Sequence, residues 1–275
     1  MSDGPPDPAD LRARLSELAD TEDEAIDLGR AGLWLAALDR PQVGLDRYES
    51  HLTELAAALG GTSNTLKAKA DALQHLLQSQ GYSGDKQTYE DAQNANLIRV
   101  IDRRKGLPVS LAILLIHAAE SAGWQAVGLS FPYHFLIRIA HDNERAVLDP
   151  FNDGAVLTVP AMRDLLKTFD RDTELRPEHY RPVSKRDVLL RLQNNLKSRA
   201  VQERQFDRAA ELLDRMLLFA PTQAPLWREL GIMQVACGRV IDAVASAERY
   251  YGAASSEEQR QDAAMLVQKI KSRLN

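Results

Sequence analysis

The sequence predicts an α+β protein, with a helical N-terminal part, a middle segment of antiparallel strands and a C-terminal all-α array. Three observations carry this. Residues 10–78 hold three stretches of helical apolar periodicity. Residues 125–158 are rich in β-branched and aromatic residues set between turn signals. From residue 187 onward the chain repeats itself at an offset of 34 residues.

The opening "MSDGPPDPAD" is acidic and proline-rich, so residues 1–9 are expected to be a disordered tail without a signal pattern. In "DEAIDLGRAGLWLAALDR", Ile26, Leu28, Leu33, Leu35 and Leu38 make a broad apolar face, and Pro41 ends the helix. "LDRYESHLTELAAALG" repeats the pattern and stops at Gly60-Gly61, and "TLKAKADALQHLLQSQGY" is closed by Gly81. His51 and His75 lie within these helices and read as structural.

The middle segment changes character. Gly106 and Pro108 stop one element, and "VSLAILLIHAAES" starts an apolar helix at once. "QAVGLSFPYHFLIRIA" and "RAVLDPFNDGAVLT" then read as two paired strands joined by the turn "HDNE". A polar, proline-spaced connector, "RDTELRPEHYRPVSKRD", leads to the array. At the offset of 34, Leu192 meets Leu226, Leu196 meets Leu230, Phe206 meets Val240 and Ala209 meets Ala243. A helix-turn-helix period of this length resembles the tetratricopeptide repeat, whose stacked helices leave a surface for partners. The expected division is one domain over 10–170 that includes the N-terminal helices, the connector over 171–186 and the repeats over 187–275.

Composition bounds the function. A formal charge of −5 and a pI near 5.7 argue against nucleic acid as a partner, which a basic excess would favour. No apolar run approaches the roughly 20 residues of a bilayer crossing. The single Cys237 excludes an internal disulfide, and no Cys/His set has the spacing of a zinc site. A cytoplasmic protein without metal or cofactor is expected.

Three polar residues stand in apolar surroundings. Ser110 lies in the first turn of its helix, where unpaired N–H groups favour an anion and where thiol enzymes place a reactive cysteine. His134 sits among Phe131, Pro132, Tyr133 and Phe135, and Asp149 follows Val147-Leu148 and precedes Pro150. A turn centred near 141–142 pairs positions whose numbers sum to 283, which 134 and 149 satisfy. A carboxylate in that place would fix the imidazole tautomer, as the third member of a triad does. Each residue also has a plain structural use: a buried histidine with a backbone partner, an Asp-Pro turn, and a helix-start hydroxyl.

The order of helix-start nucleophile, strand histidine and strand aspartate resembles the transglutaminase-like cysteine enzymes. The motifs "DRRKGLPVSL", "FPYHF" and "LDPFNDG" are similar more specifically to the SirB1 family. That resemblance implies a transglutaminase/papain-like core joined to a tetratricopeptide-like tail. It places Ser110 in the cysteine position, His134 in that of the catalytic histidine and Asp149 in that of the aspartate. Tyr133 stands where many relatives carry glycine, which would narrow access to His134. Asn94 and Asn96, from their family-like placement, are expected to hold the loop before the Ser110 helix.

A hydroxyl lacks the low pKa of a thiol and must surrender its proton during attack, so serine weakens the chemistry. The leading expectation is a pseudoenzyme that binds a protein partner through residues 187–275. The alternative is a Ser-His-Asp hydrolase of an amide or ester, and a third reading keeps the cleft for a small ligand. "DRRKG" at 102–106 reads as a salt-bridged turn, Trp34, Trp124 and Trp227 as packing residues, and Cys237 as structural.

Overall fold

The computed structural model describes residues 4–272. The chain divides into two compact units, one of residues up to 11 with 22–192, the other of 12–21 with 193 onward. Helix α1 (Pro8–Glu17) begins inside the stretch expected to be a disordered tail. Residues 1–3 of that stretch lie outside the described residues. The early start has a local cause. Pro8 has its φ preset for a first helical position, and the Asp7 carboxylate accepts the Ala9 N–H at 2.8 Å.

In the first unit, α2 (Leu28–Ala37), α3 (Asp46–Ala57) and α4 (Leu66–Ser79) follow the three periodic stretches. Asp27 and Thr65 cap the first and last of them through side-chain oxygens that accept the Arg30 and Ala68 N–H groups. A short strand β1 (Ser83–Gly84) pairs in parallel with β2 (Lys105–Gly106), on either side of α5 (Leu97–Arg103). Helix α6 (Pro108–Ser121) is apolar on every side, and all of its residues from Pro108 to Ala119 are buried. Such a helix belongs in the centre of a core.

The strand segment is a four-stranded antiparallel meander: β3 (Gln125–Leu129), β4 (Leu136–His141), β5 (Glu144–Asp149) and β6 (Ala155–Leu157). Each of the two expected strands is therefore a pair. The breaks fall where the backbone leaves the extended region, at Tyr133 (φ 62°) and at Asp153-Gly154 (φ 55° and 72°). The turn between β4 and β5 is tighter than expected. Asp142, at φ 50°, and Asn143 form it, His141 pairs with Glu144, and Ile137 pairs with Leu148. The register is thus two residues off the one assumed from a turn at 141–142. Helix α7 (Val159–Phe169) packs Met162 and Leu166 against Leu129, Phe131 and Leu136.

The connector is not a free linker. Ser130 N–H donates to the Arg181 carbonyl at 2.9 Å and Val183 N–H to the Gly128 carbonyl at 3.0 Å, so residues 181–183 run along the outer edge of β3. That contact occupies an edge that would otherwise offer unpaired ladder groups.

The second unit contains the repeats. The division falls within α8 (Lys185–Gln202), after which come α9 (Phe206–Phe219), α10 (Ala224–Ala236), α11 (Val240–Ala253) and α12 (Glu257–Lys271). Helices α9 and α11 begin and end 34 residues apart. The same period appears in the turns. Arg204 (φ 57°) and Gly238 (φ 77°) occupy equivalent left-handed positions. The following N–H groups, of Gln205 and Arg239, return to the Ala200 and Gln234 carbonyls, each at 2.8 Å. Gly231 lets α10 approach α11 closely, since a Cβ there would lie 3.4 Å from the Ala243 carbonyl oxygen. No helix among the described residues is long and apolar enough to cross a membrane.

Candidate functional site

Ser110 is the third residue of α6, whose first residue is Pro108 and whose N-cap, Leu107, has no side chain to offer the open N–H groups. Its hydroxyl does not serve them either. It donates to the Asn94 backbone carbonyl at 2.6 Å, and the residue has 0 % exposure. The same carbonyl accepts the Leu107 N–H at 3.1 Å, so Asn94 ties the loop before α6 to the helix start. Gly106 makes room for this, because a Cβ there would meet Val100 at 3.0 Å and Ser110 Cβ at 3.4 Å. The hydroxyl thus behaves as a structural donor. Ser110→Ala is expected to cost about 1 kcal/mol, the worth of one internal hydrogen bond, measured by urea unfolding. A cost well above that would mean that the hydroxyl carries more than this bond.

His134 and Asp149 meet directly. His134 Nε2 donates to Asp149 Oδ1 at 2.8 Å, with the residues 5 % and 1 % exposed. They do not meet as cross-strand partners. His134 lies in the turn before β4, and Asp149 ends β5. The Asp149 carboxylate also accepts the Phe151 N–H at 3.0 Å, the Asn152 N–H at 3.3 Å and the Asn152 Nδ2 at 2.6 Å. Burial works to raise its pKa, but the His134 bond, the imidazole charge and these donors together lower it. Asp149 therefore does two jobs, closing the Asp-Pro turn and orienting the imidazole. With Nε2 so engaged, the neutral ring leaves Nδ1 as its acceptor.

The cover over His134 is aromatic. Its ring stacks on Phe169 from α7, with centroids 5.9 Å apart, and meets Phe151 edge-on at 5.8 Å. Tyr133, 57 % exposed, stacks on the outer side of Phe169 at 6.0 Å. The expected narrowing by Tyr133 is thus indirect, because its left-handed backbone puts the ring beyond Phe169. Neither Phe151 nor Phe169 stood out in the sequence, since each belongs to an unremarkable turn or helix end. Phe169→Ala should raise the rate at which diethylpyrocarbonate modifies His134 several-fold, with Tyr133→Ala giving a smaller rise. Peptide mass spectrometry reads both rates, and an unchanged rate in Phe169→Ala would remove Phe169 as the cover.

Asn94 was expected to hold the loop before α6; sequence reasoning missed Asp85, which supports it. Asp85 is buried and accepts the Thr88 hydroxyl at 2.7 Å, the Thr88 and Gln87 N–H groups, and Arg103 Nη2 at 3.0 Å. Burial alone would raise the Asp85 pKa, yet the Thr88 hydroxyl and the amide donors hold the carboxyl well below the usual range. Arg103 Nη1 reaches on to Asn94 Oδ1 at 2.9 Å, and Asn94 Nδ2 donates to the Thr88 carbonyl at 2.7 Å. Asp85, Arg103, Asn94 and Ser110 form one continuous chain of bonds. Asn96 has a separate task. It caps α5 by accepting the Arg99 N–H and donates to the Ala36 carbonyl at 3.0 Å.

The rest of "DRRKG" is likewise internally bonded. Asp102 pairs with Arg47 at 2.9 Å, and Arg104 lies over the Tyr82 ring and donates to His51 Nε2 at 2.6 Å. Among the described residues, no group of three or more His, Cys, Asp or Glu side chains could hold a metal ion.

Comparison with known proteins extends this geometry. A family model described as the transglutaminase-like superfamily matches residues 46–194, and a tetratricopeptide-repeat model matches residues 196–275. A UPF0162 protein of Xylella fastidiosa (strain Temecula1) is 30 % identical over 243 residues, covering 86 % of each chain. One from Vibrio cholerae is 30 % identical over 233 residues, covering 81 % of this chain and 85 % of its own. The F-box only protein 21 of Homo sapiens is 29 % identical over 168 residues, which is 57 % of this chain and 26 % of that protein. With the superfamily model spanning more than half of its length and the UPF0162 similarity most of it, the chain belongs to the transglutaminase-like superfamily and carries tetratricopeptide repeats after that domain.

Proposed function

We propose that this protein is a non-catalytic, SirB1-type member of its superfamily that binds a protein partner through its helical repeats. The observation that carries the reading is the Ser110 hydroxyl, fully buried and donating to the Asn94 carbonyl. A serine nucleophile needs its proton taken by a base during attack, and it must reach a substrate. Ser110 meets neither demand in this arrangement. The repeats supply the alternative role, because stacked helix pairs present side chains for recognition. In the second unit a groove of about 710 Å³ is lined by Pro221, Trp227, Glu248 and Arg249, among others. The Trp227 indole is held there by a bond to the Pro221 carbonyl at 2.8 Å.

Two experiments test this reading. The full chain should take no covalent label at Ser110 from a fluorophosphonate, and an adduct there overturns the non-catalytic role. A protein captured by the full chain should be lost when Trp227→Ala and Arg249→Ala are combined, with the helical circular dichroism unchanged. Retention of that protein would move binding away from the repeats.

The complete His134–Asp149 pair favours a second reading, a Ser-His-Asp hydrolase of an amide or ester. It would require the Ser110 hydroxyl to leave Asn94 and turn to His134 Nδ1. The N–H groups at the α6 start would then face the developing oxyanion, although Pro108 has none to give.

A further inference from the structure

Among the described residues a second histidine is hydrogen-bonded to a carboxylate, toward the opposite end of α6 from Ser110. His117 Nδ1 and Asp27 Oδ1 are 2.8 Å apart. Asp27 is the N-cap of α2, and its approach to α6 depends on Gly29, where a Cβ would meet the His117 ring at 2.7 Å. His117 is 8 % exposed, and its Nε2 has no hydrogen-bond partner among the described residues. In its neutral form, with Nδ1 donating to the carboxylate, the imidazole presents Nε2 as a bare acceptor. The pair lines a cavity of about 660 Å³, within the usual range for small-molecule sites.

The lining favours a cation. The C-terminal ends of α3 and α6 both reach the cavity, through Ala56-Ala57 and Ser121-Ala122, and helix C-termini carry partial negative charge. Glu49 adds a carboxylate with no ionic partner among the described residues. Arg30 is the cation on the wall. It reaches Asp27 Oδ2 at 3.6 Å with a side chain 61 % exposed, so it answers the carboxylate that His117 already holds and leaves Glu49 uncompensated. Trp124 and Leu52 supply apolar wall, the former half-buried. An ammonium group could donate to His117 Nε2 and face Glu49 while an apolar body lies along Trp124, whose ring already has the Lys69 ammonium 5.5 Å from its centroid and so serves as apolar wall.

From this geometry we infer that the cavity between α2, α3 and the end of α6 is a binding site for a small organic amine carrying an apolar or aromatic body. The site is separate from the Ser110–His134–Asp149 region and does not depend on whether that region is catalytic. Acceptors, negative field and an aromatic wall converge on one cavity, and a neutral or anionic ligand would leave the Glu49 charge unanswered.

The test uses the full chain labelled with 5-fluorotryptophan, whose three fluorine signals are assigned with Trp124→Phe. Three probes of one size and shape are titrated: tyramine, neutral 4-ethylphenol and anionic 3-(4-hydroxyphenyl)propionate. Tyramine should shift the Trp124 signal saturably and leave Trp34 and Trp227 in place. The neutral probe should bind about fivefold more weakly, the scale of one exposed ionic contact. Glu49→Gln, a surface change that spares the core, should weaken tyramine by a similar factor. The inference is overturned if tyramine gives no saturable shift up to about 20 mM, a weak-binding limit. It is equally overturned if the anion binds as well as tyramine, or if Glu49→Gln leaves tyramine unaffected.

Discussion

Asp149→Ala is expected to destabilise the protein by about 3 kcal/mol, because it leaves several buried hydrogen-bond donors without their acceptor, at about 1–3 kcal/mol each. The substitution strands the His134 Nε2–H behind Phe169 and Phe151, and also orphans the Phe151 and Asn152 donors that form the β5–β6 turn. Urea unfolding at pH 7 reads the loss. Since the Asp149 carboxyl is more acidic in the folded state, its contribution is complete above the ordinary value of 3.8. It fades as pH falls through the lower folded value. The difference between the wild type and Asp149→Asn should therefore shrink on the acid side of 3.8. A difference that stayed constant from pH 7 to pH 3 would mean that shape, and not charge, holds the turn. Removing His134 instead, as His134→Gln, should cost less, because Asp149 keeps its amide donors.

Arg103→Met should cost about 3 kcal/mol, because it leaves the Asp85 carboxylate buried without its cationic partner. The figure sits at the low end for buried pairs, because the Arg103 side chain is partly exposed and the Asp85 amide bonds survive. Arg103 also fixes the Asn94 side chain, whose backbone carbonyl receives Ser110 and Leu107. The loop over residues 85–95 should therefore loosen together with the α6 start. Hydrogen exchange reads this directly: the Leu107 and Thr88 amides should lose protection in Arg103→Met and keep it in Arg104→Met. Arg104 bonds His51 and Tyr82 on another side of the turn, so it serves as the control. Equal losses in the two variants would dismiss the Asp85–Arg103–Asn94 chain as the support of Ser110.

Much of the fold was legible in the order of residues, because periodicity and punctuation are local properties. The helices α2, α3 and α4 follow the apolar spacing, with Gly81 at φ 73° closing the last. The repeat was readable because the same packing problem recurs every 34 residues, down to the left-handed turns at Arg204 and Gly238. The strand count was not legible. Period-two patterning continues through "SFPYHF", and the left-handed backbone at Tyr133, Asp153 and Gly154 turns each run into a hairpin.

The sequence by itself determined which polar residues stand in apolar surroundings: a helix-start serine, a histidine among aromatics, and an aspartate before proline. Tertiary structure alone decided what each is bonded to. A hydroxyl's partner depends on a carbonyl sixteen residues away that a separate loop delivers, so Ser110 could face His134 or Asn94 on identical local sequence. The cover over His134 comes from Phe169, which α7 brings back across the sheet. The His117–Asp27 pair joins residues 90 apart through the absence of a side chain at Gly29. Hydrogen bonds and ring contacts act over a few ångströms, and only the folded chain brings distant residues within that reach.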